Sequence, residues 1–137
     1  MAAEDAVFGY PESKVGFVPA LVVVFLVRIC GEKKARELLL TGRVFSAQEA
    51  QEMGLVNHVV AQESLLEKAQ ELALEISQNS PTAVRLTKEL MKDLPGLSLE
   101  KGLITALHLN TLFRTTEDFK EGVSSFLEKR RAQWKRR

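Results

Sequence analysis

Phe8-Gly9-Tyr10-Pro11-Glu12-Ser13-Lys14-Val15-Gly16-Phe17-Val18-Pro19 is the stretch on which the reading of this chain turns. It sets one carboxylate, Glu12, between a proline and a basic residue, just upstream of a glycine and of the apolar run that begins at Ala20. Val7, Phe8 and Tyr10 favour an extended segment over 6–10. Pro11 ends it, because proline has no N–H to offer a strand ladder. Glu12 is therefore expected on a loop or just past the strand. Pro19 suits the start of a helix, where its missing N–H would go unpaired anyway, and a buried helix is expected over 20–29.

Working outward, Gly31 separates that run from a second helical pattern over 32–40, with Ala35, Leu38 and Leu39 on one face and Thr41-Gly42 as its stop. Ser46-Ala47-Gln48-Glu49 is a capping box: Ser46 can accept from the backbone while Glu49 reaches back. A short helix over 47–53 follows, closed by Gly54, and 55–60 reads as a brief second β segment. Beyond residue 61 the pattern is helical throughout. Leu65, Leu66, Ala69, Leu72, Ala73 and Ile76 form one face over 63–78. Ser80-Pro81 caps and opens the next helix, which runs to Pro95-Gly96, and Ser98 opens another over 99–113. Thr115 or Thr116 caps the last, with Phe119, Val123, Phe126 and Leu127 facing inward.

At 137 residues the chain is long enough to bury a core without disulfides or a structural metal. Hydrophobic residues are 45% and charged residues 27%, ordinary for a soluble globular protein, and a net charge of +1 gives no general pull toward nucleic acid or membrane. The run at 20–27 is too short for a bilayer and Arg28 closes it. The start lacks the basic flank and cleavage site of a secretory signal. A single cysteine, Cys30, in apolar company reads as a small core hydrophobe in a reducing compartment, the cytoplasm or a mitochondrial matrix. His58 and His108 have no Cys, Asp or second His at ligand or triad spacing, so no metal is expected.

The F-G-Y-P-E segment, S-A-Q-E-A at 46–50, G-L-V-N-H-V-V at 54–60 and F-L-E-K-R at 126–130 together resemble the crotonase superfamily of enoyl-CoA hydratases and isomerases. The resemblance begins almost at Met1 and covers nearly the whole chain. It implies an α/β crotonase-like (spiral) fold, of which these residues are the C-terminal half, helix-dominated with two short β segments. Residues 1–60 would belong to the spiral core and 61–137 to a helical association region. The half with the oxyanion hole and a second catalytic Glu is not among these residues, so the chain is expected to be a fragment or a shortened relative.

Adding water across an enoyl thioester needs a positioned water, a base, an acid for the α-carbon and donors for the enolate oxygen. The resemblance places one acid/base carboxylate at Glu12 and a water-holding backbone N–H at Ala20, where the usual P-G-x-G-G has become Pro19-Ala20-Leu21-Val22-Val23. A surface ion pair of Glu12 with Lys14 is the alternative. The basic C-terminus reads as a solvated helix end with a frayed tail. At two positions the resemblance implies more: Phe126 and Lys129 at the adenine and phosphate end of coenzyme A, which is part of the substrate, with no separate cofactor.

The expected partner is an acyl-CoA thioester, without nucleic acid or membrane. Because the chain lacks a complete parallel sheet, its apolar segments need a first half or a second subunit, and a homo-oligomer, a trimer or dimer of trimers, is expected. Enoyl-CoA hydration is the leading activity. Double-bond isomerisation and a catalytically incomplete helical association module are the alternatives.

Overall fold

Both expected β segments find partners too short to stand out in the sequence. In the computed structural model, which describes residues 1–135, the strands in chain order are β1 (Ala2–Ala3), β2 (Val7–Gly9), β3 (Val44–Ser46) and β4 (Val59–Val60). β1 lies parallel to β4, with Ala2 opposite Val59 and Ala3 opposite Val60. The Ala2 amide donates to His58 O and the Glu4 amide to Val60 O, both at 2.9 Å. β2 lies antiparallel to β3, with Phe8 opposite Phe45. Their rings stack at 5.8 Å between centroids. The expectation of two segments is corrected to four strands among the described residues, because strands of two or three residues show no period.

The described residues divide into two units, Met1–Glu71 and the residues from Leu72 onward. In the first, the long helix α1 (Ala20–Thr41) breaks at Gly31, whose φ of 77° and ψ of 164° are not helical. That break is the separation expected there. Its second segment buries Ala35, Leu38 and Leu39 against Phe45 and against Ala47 and Ala50 of α2 (Ala47–Glu52). The first segment is corrected from a buried helix to a one-sided one. Leu26 is 2% exposed, whereas Leu21 is 79% and Phe25 62% exposed. Hydrophobicity in sequence reports what a face can bury, and among the described residues nothing covers this one. No helix among the described residues is long and apolar enough to cross a membrane.

The capping box forms as expected. The Glu49 amide donates to Ser46 Oγ at 3.1 Å, and the Ser46 amide donates to Glu49 Oε2 at 3.0 Å. At the end of α1, Gly42 takes φ 57° and its amide donates to Leu38 O at 3.0 Å, a left-handed close that suits glycine. A Cβ at Gly42 would lie 3.2 Å from Lys14 Cε and 3.3 Å from Tyr10 O. Gly42→Ala is therefore expected to cost about 1–2 kcal/mol, read as a lowered midpoint in thermal or urea unfolding; an unchanged midpoint would mean the turn relaxes freely.

The second unit is built from the end of α3 (Leu65–Ser77) with α4 (Pro81–Asp93), α5 (Leu99–Phe113) and α6 (Glu117–Leu127). Ser80, Ser98 and Thr116 cap α4, α5 and α6 through their side-chain oxygens. What this unit buries is small or polar: Ser80, Gly102, Asp118 and Ser125. Ser80 Oγ donates to Asp118 Oδ2 at 2.6 Å, and the Thr82 amide donates to the same oxygen at 3.2 Å. Burial alone would raise the Asp118 carboxyl, but these two donors outweigh it and hold it below its ordinary value. Phe113 and Phe119 meet edge to face at 5.9 Å.

The covered line of α6 runs through Asp118, Gly122 and Ser125. The expectation that Val123, Phe126 and Leu127 face inward is therefore corrected: all three are exposed, Phe126 at 82%.

Candidate active site

The acid/base candidate, Glu12, sits on a single 3-10 turn, Pro11–Val15, that Pro11 opens and Gly16 closes at φ 75°. Two bonds fix the turn. Ser13 Oγ donates to Leu39 O at 2.7 Å, tying it to α1, and the Phe17 amide donates to Glu12 O at 2.9 Å. Glu12 is only partly exposed, and its Oε2 is buried without a hydrogen-bond partner among the described residues. The ion pair with Lys14 does not form; the Lys14 stem instead lies over Gly42.

A buried carboxylate oxygen with no donor costs stability, and it calls for a specific reason, such as a catalytic role or a bound water or ion. Nearby, burial raises the Tyr10 hydroxyl above its usual range, with Cys30 and Glu12 adding to the effect. Tyr10, expected only as part of the extended segment, lies inside the F-G-Y-P-E stretch. Its ring packs on Phe45 at 6.0 Å. Cys30 Sγ donates to Leu26 O at 3.2 Å, a satisfied and half-buried thiol.

Ala20 is the first residue of α1, and Pro19 caps the helix from outside at φ −75° and ψ 57°. The Ala20 amide donates to Val18 O at 2.8 Å, closing a tight turn about Pro19. That amide is engaged within the chain. Beside the turn, Ser13, Phe17, Pro19, Val23, Val27 and Leu39 help line a groove of about 410 Å³. Among the described residues no three His, Cys, Asp or Glu side chains gather as metal ligands.

Phe126 and Lys129 lie in the second unit, at the end of α6, whereas Glu12 and Ala20 lie in the first. Both coenzyme A candidates are exposed. Lys129 holds φ 53°, the left-handed region, with its amide donating to Phe126 O at 3.2 Å and the Arg130 amide to Ser125 O at 3.0 Å. This is a Schellman close with lysine where glycine usually stands.

The tail then folds back, which corrects the expectation of a frayed end for residues 130–134; Arg136 and Arg137 lie outside the described residues. Arg130 pairs bidentately with Glu121 (2.6 and 3.0 Å) and also with Glu128 at 2.6 Å. The Gln133 amide donates to Glu121 at 2.7 Å, and Trp134 Nε1 donates to Gln78 O at 2.7 Å. Partners 9, 12 and 56 residues apart leave no trace in local spacing.

A family model described as enoyl-CoA hydratase/isomerase matches residues 1–137. A Thermus thermophilus relative that carries an enoyl-CoA hydratase name is 52% identical over 127 residues, which is 93% of this chain and 50% of that protein. The 2,3-dehydroadipyl-CoA hydratase of Escherichia coli is 37% identical over 100% of this chain and 54% of its own. The crystal structure of an enoyl-CoA hydratase from Bacillus anthracis superposes with a TM-score of 0.93 at 40% identity, over 97% of this chain and 52% of that one. The chain thus spans about half the length of the curated relatives it matches.

Proposed function

Because the chain belongs to the enoyl-CoA hydratase/isomerase family, we propose that it supplies one acid/base carboxylate and a set of coenzyme A contacts to an enoyl-CoA hydratase. Its helix-dominated arrangement with short strands is part of a crotonase fold. The observation that carries the proposal is the buried, unpartnered Oε2 of Glu12. Hydration forms a C–O bond at the β-carbon and a C–H bond at the α-carbon, and a carboxylate kept from other donors is free to hold or deliver the proton involved. The largely apolar groove lined by Ser13, the residue after Glu12, and by Phe17, Val23 and Val27 suits an acyl chain. Phe126 and Lys129 offer a flat ring and a cation to an adenine and a phosphate. The substrate would be an acyl-CoA thioester, with no cofactor beyond the coenzyme A it carries. A cytoplasmic or mitochondrial-matrix setting suits the free Cys30.

One observation favours a second reading. Holding a water at the Ala20 amide competes with its bond to Val18 O, and double-bond isomerisation needs no bound water. In that case Glu12 would carry a proton between the α- and γ-carbons of the acyl chain. The exposed faces at Leu21 and Phe25, and at Leu103 and Leu107, are more apolar surface than a monomer commonly leaves uncovered, and we infer a homo-oligomer, a trimer or a dimer of trimers.

The test is a crotonyl-CoA hydration assay on the full protein, run alongside native mass. Hydration by an oligomer is the expected result. Migration of a 3-enoyl-CoA double bond without hydration would select the second reading, and a defined oligomer inert toward both substrates would leave a catalytically incomplete helical association module.

A further inference from the structure

Lys129 is the non-glycine residue of the described chain held at positive φ, a conformation that disfavours any residue with a Cβ. Glycine would close α6 there without strain. Such strain persists only where the surroundings over-determine it, and it clusters at functional positions. Here the surroundings are specific. Immediately after Lys129, Arg130 is locked by both oxygens of Glu121 and by Glu128, and the Gln133 amide seats on the same Glu121.

Trp134 completes the fold-back. Its ring lies against Gly122, so that a Cβ there would come within 3.4 Å of it, and its indole N–H is tied to Gln78 O. Arg130 and the Gln133 amide hold Glu121 at about 2, so the clamp stays ionised through the physiological range. Arg130 is neutralised on two sides, whereas the ammonium of Lys129 is exposed and has no ion-pair partner among the described residues.

We propose that Glu121, Arg130 and Trp134 form a clamp that holds the backbone of Lys129 in its left-handed conformation, and so aims a free ammonium at a phosphate of coenzyme A. Glu121 and Arg130 are positioning residues: they act through Lys129 and do not touch the ligand. The inference rests on the coenzyme A reading above. It adds that the site is built by residues beyond the two suggested by the sequence.

The test is calorimetric titration of the full protein with coenzyme A, together with KM and kcat for crotonyl-CoA. Wild type binds, and Lys129→Ala weakens binding roughly fivefold. Glu121→Gln weakens it to a similar degree and raises KM while leaving kcat unchanged. Added to Lys129→Ala, Glu121→Gln has no further effect, because its only route to the ligand is already gone. Arg130→Lys, which keeps one ion pair, falls between.

Lys129→Gly guards against a folding artefact, since it should melt no lower than wild type and still lose the same affinity. Wild-type affinity in Glu121→Gln, with Lys129→Ala weakened, would overturn the clamp and leave the coenzyme A reading standing. So would a full additional loss in the double variant. No coenzyme A binding by wild type would overturn that reading and the clamp with it.

Discussion

Replacing Glu12 with Gln in the full protein is expected to lower turnover of crotonyl-CoA by about 10²–10⁴-fold, the usual worth of a positioned acid or base. Stability and coenzyme A affinity should change little. Glutamine keeps the shape but cannot exchange a proton. The argument rests on local construction. Ser13 ties the 3-10 turn to α1 and the Phe17 amide closes it on Glu12 O, so the backbone of Glu12 is placed while its Oε2 makes no bond among the described residues. A structural glutamate would be expected to use that oxygen, and its loss would lower the melting point. Because a buried acceptor without donors is already costly, neutralising it should leave stability unchanged or raise it. Turnover within a fewfold of wild type would remove Glu12 from the chemistry.

The largest stability effect is expected at the buried pair in the second unit. Asp118→Ala strips the acceptor from both Ser80 Oγ and the Thr82 amide, leaving two donors without a partner in a place water reaches poorly. The expected loss is about 2–3 kcal/mol in urea unfolding. Ser80→Ala removes a helix cap as well as Asp118's shorter partner, since the Ala83 amide donates to Ser80 Oγ at 3.0 Å, and should cost a comparable amount.

The pH dependence has a definite sign. The folded-state carboxyl of Asp118 is held below its ordinary 3.8. Its contribution is therefore fully present above that value and is lost as the pH falls through the lower folded value. Glu121, held at about 2 against an ordinary 4.5, behaves likewise over that window. Acid unfolding of Asp118→Asn should lack the first of these losses. A melting point within measurement error of wild type for Asp118→Ala would mean that the pair is not a tie.

These two predictions also mark how far the sequence could be read. Features with a short span were legible: the Ser46 to Glu49 capping box, the Ser80 cap, a helix starting after Ser98, a last cap at Thr115 or Thr116 and the glycine break at Gly31 all came from neighbours within a helical turn. Glu12 was singled out by the family resemblance of the F-G-Y-P-E segment; its near neighbours alone left a surface ion pair with Lys14 as the alternative. What could not be read depends on contacts between distant positions. Ser80 and Asp118 are 38 residues apart, and each taken alone is an ordinary cap or first-turn acid. The Arg130–Glu121 clamp looked like a basic tail because its acidic half lies a helix away.

The inward placement of Phe126 and Leu127 was misjudged for a related reason. Periodicity shows which residues share a face of α6, and it does not show that Asp118 and the Trp134 ring on Gly122 claim the other one. The same limit applies to 20–29, where an apolar run was read as buried and only Leu26 is fully covered among its members.

The central claim is that Glu12 moves the proton at the acyl α-carbon, and the most direct measurement is deuterium incorporation. Full protein, wild type and Glu12→Gln, is incubated with crotonyl-CoA in D2O, and the acyl product is read by mass spectrometry and NMR. The account predicts deuterium at the α-carbon with wild type and incorporation slower by orders of magnitude with Glu12→Gln, while both bind coenzyme A alike. Equal rates of incorporation in the two proteins would contradict it.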